Sequence, residues 1–75
     1  MQKIEINGKL CPVIYQKHDY IRGNEFMGIQ TVIYAYNNNI YKVCRKFEDF
    51  GYESPDYKEW SESIQLCSID ELKEQ

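Results

Sequence analysis

The stretch Thr31-Val32-Ile33-Tyr34-Ala35-Tyr36-Asn37-Asn38-Asn39-Ile40-Tyr41-Lys42-Val43 decides the fold. Two runs of β-branched and aromatic residues, the composition that suits a pleated half-buried surface, flank three consecutive asparagines. Asparagine tolerates the left-handed backbone that a tight reversal needs. The reading is an antiparallel hairpin, with Phe26 to Tyr36 as one strand and Ile40 to Phe47 as the other. A slip of one residue moves every side chain to the opposite face, so apolar grouping sets the expected register. A three-residue asparagine loop pairs Tyr36 with Ile40, Ala35 with Tyr41 and Ile33 with Val43. It collects Ile29, Ile33, Ala35, Tyr41, Val43 and Phe47 on one face, whereas a two-residue loop mixes Lys42 and Lys46 into it. The three-residue loop is therefore expected.

Toward the N-terminus, Ile4 and Ile6 alternate with polar residues at the period of a strand. Asn7-Gly8 then signals a type I′ turn, because both central residues need positive φ. The chain returns from Lys9 to about Tyr15, and Pro12, which lacks an N–H, should face an open edge or a bulge. Gly23-Asn24 reads as a two-residue type II′ turn that sets Arg22 opposite Glu25 and adds Ile14, His18, Tyr20 and Met27 to the apolar face.

Beyond Gly51 the signal changes. Ser54-Pro55-Asp56 has the order of an N-cap, a first-turn proline and an acid near the positive helix end. Tyr57, Trp60 and Ile64 then share one helical face. Ile64 to Cys67 reads as a short strand or an extended link. Ser68 with Glu71 forms a capping box that opens a terminal helix with Ile69 and Leu72 inward. The fold class expected is α+β: a four-stranded antiparallel β-meander with one or two short C-terminal helices packed on one face, forming a single domain over residues 1–75.

Length excludes a good deal. A 75-residue chain buries only about 60% of its unfolded surface, too little for a two-domain hinge or a dinucleotide fold. The longest apolar runs fall far below the roughly 20 residues of a membrane span, and residues 1–5 carry no apolar signal segment. Three widely spaced cysteines, Cys11, Cys44 and Cys67, point to free thiols in a reducing cytoplasm, that of a bacterial cell or an infected host cell. Ile, Asn, Lys and Tyr together number 28 against a single Ala. That usage fits A/T-rich codons and hence a low-GC bacterium, phage or plasmid.

Catalytic and metal sets are poorly represented. Cys11, His18, Cys44 and Cys67 lack the close Cys pair of a structural zinc site. Asp19 follows His18 directly, so on a strand the two point to opposite faces and cannot form a base with its orienter. No phosphate loop or nucleophile elbow is present. The expectation is a non-enzyme without cofactor or metal.

Charge is the most uneven feature. Residues 1–47 are net +4 and residues 48–75 net −7, within an overall −3. On the expected helix Asp56, Glu59 and Glu62 form a ridge of neighbours about 5–6 Å apart, with Glu53 just before it. The leading expectation is an intracellular protein–protein interaction module whose acidic C-terminal surface (Glu53, Asp56, Glu59 and Glu62) meets a protein with a basic, nucleic-acid-handling surface. Small size and codon usage suggest a phage- or mobile-element-encoded inhibitor of the anti-CRISPR kind. The alternative is a single-stranded nucleic-acid binder whose second sheet face (Tyr15, Tyr34, Tyr36 and Lys42) stacks bases and follows phosphates. A homodimer through that face is a further expectation.

Overall fold

The structure, a computed structural model, describes residues 2–52 and 54–73, with the side chains of residues 72 and 73 outside the description. Antiparallel sheet dominates. Strands β1 (Lys3–Ile6), β2 (Lys9–Tyr20), β3 (Met27–Tyr36) and β4 (Asn39–Glu48) form a meander in chain order. Two further strands, β5 (Asp56–Tyr57) and β6 (Ile64–Ser68), both pair with β4, and one short helix, α1 (Ile69–Lys73), follows. The molecule is elongated, 44 × 25 × 22 Å.

The first turn is as expected: Asn7 and Gly8 have φ of 53° and 81° and join Ile6 directly to Lys9. Val13 N–H donates to the Gln2 carbonyl, so the proline nitrogen one residue earlier faces the other side of the strand. There the β2–β3 ladder has not yet begun, and no hydrogen bond is lost.

The asparagine loop is shorter than expected. Tyr36 pairs with Asn39 and Ala35 with Ile40, so only Asn37 and Asn38 turn, with φ of 49° and 65°. Two left-handed residues make a type I′ turn, whose twist matches that of the flanking strands. A three-residue loop would ask for glycine at its left-handed position, and none is there. Asn38→Ala should cost about 1 kcal/mol, the penalty for a side chain in the left-handed region without asparagine's local hydrogen bonding; a denaturant melt checks it.

This one-residue difference re-sorts the sheet. One face, called inner here, carries Val13, Tyr34 and Tyr41 in one row and Gln16, Val32 and Val43 in the next. His18, Gln30 and Arg45 follow, and then Tyr20, Gly28, Phe47 and Tyr57. Ile29, Ile33 and Ala35, expected with Val43 and Phe47, lie on the other, outer face. The Gly23 reversal also differs. Tyr20 pairs with Gly28, and a β-turn closes where Asn24 N–H donates to the Ile21 carbonyl, with Gly23 at φ 84°. Positive φ at that third position belongs to a type II turn. Asn24 Oδ1 accepts from the N–H groups of Phe26 and Met27, which widens the loop and removes the expected Arg22–Glu25 pair from the ladder.

The expected helix through Tyr57, Trp60 and Ile64 is absent. Residues 56–68 instead run along β4. Tyr57 sits across from Phe47, Lys58 N–H donates to the Lys46 carbonyl, Ser61 N–H donates to the Cys44 carbonyl, and Ile64 sits across from Lys42. A free helix of ten residues is marginal in water. As a strand the same segment gives β4's outward-facing backbone groups their partners. Tyr57 and Trp60, an odd number of positions apart, both reach the inner face because the ladder is interrupted between β5 and β6. The second expected helix is present: Ser68 Oγ accepts from Glu71 N–H at 3.2 Å. It packs on β6 at the sheet's end, not across a face.

The main core cluster lies on the inner side, and Ile40, opposite Ala35 at the end of the outer face, is buried as well. Ile6, Cys11, Val32, Tyr34 and Val43 are buried, with Ile4, Val13, Tyr41 and Trp60 packed against them. The Tyr34 hydroxyl is satisfied by Ser63 Oγ at 2.7 Å. Phe47, 2% exposed, lies over Gly28 between the edges of His18 and Tyr20.

Candidate interaction surface

The inner face carries a polar chain through its middle. Arg45 Nε donates to Gln30 Oε1 at 2.7 Å, and Gln30 Nε2 donates to Gln16 Oε1 at 3.1 Å. The Arg45 guanidinium lies 3.8 Å from the Tyr57 ring centre and 3.9 Å from that of Trp60. Burial pulls the guanidinium below its ordinary value, and Tyr57 opposes the shift. The two rings supply in part what water would have given the cation. Gln30 is 2% exposed yet bonded on both sides. This arrangement is closed on itself and is a clamp for the segment that carries Tyr57 and Trp60. His18 Nε2 meets the Tyr57 hydroxyl at 3.3 Å and the Phe47 ring at 5.1 Å, contacts with neither a carboxylate nor a thiol.

The thiols are dispersed. Cys11 is buried on the inner side, Cys44 lies across from Thr31 on the outer face, and Cys67 lies across from Ile40. Among the described residues no three metal-ligating side chains gather. Burial pushes the Cys11 thiol up, only partly offset by Lys9. A neutral thiol is a poor nucleophile. Iodoacetamide on the native protein should therefore label Cys44 and Cys67 well before Cys11, a sequence that mass spectrometry of quenched samples reads directly.

The outer face is different in kind. Tyr15, Ile33, Lys42 and Ile64 form one continuous row across four strands. Lys17, Thr31 and Cys44 form the next, then Asp19, Ile29 and Lys46. Among the described residues no layer covers these rows: Tyr15 is 52% exposed, Ile29 40% and Ile64 62%. A sheet normally turns polar residues to its wet side. Here isoleucines stand among lysines. Lys17 is held by Asp19 at 3.1 Å, while Lys42 and Lys46 form no ion pair with any described residue.

The expected sites fall as follows. Asp56, Glu59 and Glu62 are exposed on the edge segment, which has no helix. The compact ridge expected of a helix is therefore not formed, and Asp56 is taken by Lys58 at 3.1 Å. Glu53 lies outside the described residues. Tyr15 and Lys42 share the outer face. Tyr34 is buried on the inner one, and Tyr36 shares that side with Lys9 over its ring at 4.5 Å. The expected Tyr/Lys platform is thus divided between two faces. The sequence reading missed Arg45 with its two rings and the isoleucines of the outer face; Arg45 standing between Cys44 and Lys46 carried no signal of its own.

Comparison of the chain with protein-family models, curated proteins and solved structures returns no match. Among the described residues no helix is long and apolar enough to cross a membrane.

Proposed function

We propose that the protein is a non-enzymatic interaction module that docks by its outer sheet face. The observation that carries this reading is the uncovered row Tyr15, Ile33, Lys42 and Ile64, with Ile29 and Lys46 beside it. Exposed apolar groups rimmed by charge mark protein-binding surfaces. The ammonium groups of Lys42 and Lys46, which form no ion pair with any described residue, select a protein partner whose apolar patch is bordered by carboxylates. A single-stranded nucleic acid fits less well, because this face offers one aromatic platform, Tyr15, among aliphatic side chains.

A second reading rests on Glu59 and Glu62, which are exposed and form no ion pair with any described residue. It makes the edge segment the contact for a basic, nucleic-acid-handling protein, as in a phage- or mobile-element-encoded inhibitor. Affinity capture from the producing cells separates the two. The outer-face reading predicts a protein held by the wild type and by Glu59→Lys/Glu62→Lys, and lost with Tyr15→Ser/Ile29→Ser/Ile64→Ser. Loss on charge reversal alone transfers the function to the edge segment. Capture unaffected by either variant contradicts both.

A further inference from the structure

The strand β2 is 12 residues long, and its neighbours share it unequally. β1 covers residues 9–12 and β3 covers residues 13–20, on opposite sides. The side of β2 away from β3 is therefore open beyond Val13, and no other described element runs along it. Ile21 N–H donates to the Met27 carbonyl, which fixes the alternation of this ladder. Tyr15, Lys17 and Asp19 turn their backbone groups toward β3, and Gln16, His18 and Tyr20 turn theirs to the open side. Three N–H and three C=O groups line this free edge. Four of the exposed large apolar side chains, Ile14, Tyr15, Tyr20 and Ile21, stand along it. An exposed strand edge with such side chains is a template for another strand.

We infer that the chain self-associates through this edge, the β2 strands of two copies pairing antiparallel about a two-fold axis at His18. Charge selects a second copy and its register. Centring the axis on Lys17 sets lysine against lysine, and centring it on Asp19 sets aspartate against aspartate. Centring it on His18 places each Lys17 opposite the other copy's Asp19, on the outer face and in the pair type where side chains come closest. That register has three further consequences. All six outward backbone groups of each copy find partners: His18 exchanges with His18, and Gln16 with Tyr20. The exposed Tyr15 and Ile21 meet across the junction. Both outer faces end on the same side of one continuous sheet, since the two-fold axis stands perpendicular to it. The inference stands independently of what the outer face binds.

Sedimentation equilibrium tests it on the full chain. The wild type should be a dimer with a dissociation constant in the micromolar range or tighter. Lys17→Asp and Asp19→Lys should each weaken self-association about tenfold or more, by setting like charges opposite one another. An equimolar mixture of the two variants, and the double exchange Lys17→Asp/Asp19→Lys, should recover it. A backbone N-methyl group at His18, introduced by ligation at Cys11 and Cys44, removes one outward donor and keeps every side chain. That protein should keep the wild-type far-UV dichroism spectrum, sediment as a monomer and lose the concentration dependence of melting that a dimer shows. A wild type still monomeric at roughly 500 μM, which puts its dissociation constant above the micromolar range expected here, overturns the inference. So does N-methyl-His18 protein that dimerises like the wild type, which would place any association elsewhere; strand addition by a foreign extended peptide to a monomeric chain would likewise contradict it.

Discussion

Trp60→Ala should remove roughly 2–4 kcal/mol of stability, the lower part of the range for truncating a large aromatic side chain, since Trp60 is half-buried. It packs against the cluster of Ile6, Cys11, Val32, Tyr34 and Val43 and covers one side of the Arg45 guanidinium. A chain of this length has about 4–11 kcal/mol in total at the usual stability per residue. The loss is a large fraction of that, and part of it is the cost of leaving the partly buried cation with one ring instead of two. Urea denaturation monitored by far-UV dichroism reads it. Trp60→Phe, which keeps a ring over Arg45, should recover a good part of the loss. A Trp60→Ala protein with the wild-type midpoint would mean that the side chain contributes little to the fold and that the edge segment is loosely held.

Gly28→Ala should be damaging for a different reason. A Cβ at this position would stand 2.5 Å from the Asp19 carbonyl oxygen and 2.7 Å from the Phe47 ring. The oxygen belongs to the neighbouring strand and cannot move alone. Phe47 is confined by His18, Tyr20 and Tyr57. Overpacking of this kind costs about 1–3 kcal/mol, and here both obstacles act together, so the upper end is expected. Phe47→Leu in the Gly28→Ala background should restore part of the loss by withdrawing the ring, whereas Phe47→Leu alone should destabilise. Additive losses in the double variant would contradict the ring-on-glycine packing.

Local turn chemistry was legible in the sequence where it was strongest. Asn7-Gly8 and the Ser68 cap announce themselves, and the strand character of residues 26–47 follows from side-chain type. The asparagine loop shows where the reading stopped short. Sorting apolar from charged residues favoured a three-residue loop, but that criterion assumes that one face is dry and the other wet. In this sheet the inner face holds Gln16, Gln30 and Arg45 in a satisfied polar chain, and the outer face leaves Ile29 and Ile64 exposed. Turn geometry at Asn37-Asn38 prevailed over face sorting. The C-terminal segment was ambiguous in another way. Tyr57, Trp60 and Ile64 fit a helical stripe, yet an interrupted strand brings the two aromatics to the same face. What decided between them was the unpaired edge of β4, which no window of sequence around Trp60 contains.

The interaction surface was legible only in part for the same reason. Tyr15 and Lys42, both expected on one sheet face, do share a row. Tyr34 and Tyr36 belong with them only in the three-residue-loop register, whereas Tyr36 pairs with Asn39 and Tyr34 with Tyr41. The helical spacing that groups Asp56, Glu59 and Glu62 does not apply to an edge segment without helix.

Residues 56–68 run as an interrupted strand on β4, hold the inner face through Trp60 and leave the outer rows of Tyr15, Ile29 and Lys42 exposed. Nuclear Overhauser spectroscopy on the labelled protein tests it most directly. Cross-strand contacts are expected between Phe47 and Tyr57 and between Tyr41 and Gln65, with contacts of the Trp60 ring to the Arg45 side chain and none from Trp60 to Ile29 or Ile33. An unbroken run of sequential amide–amide contacts through residues 56–64, with helical contacts from Tyr57 to Trp60, would contradict it and return the acidic ridge to one helix surface.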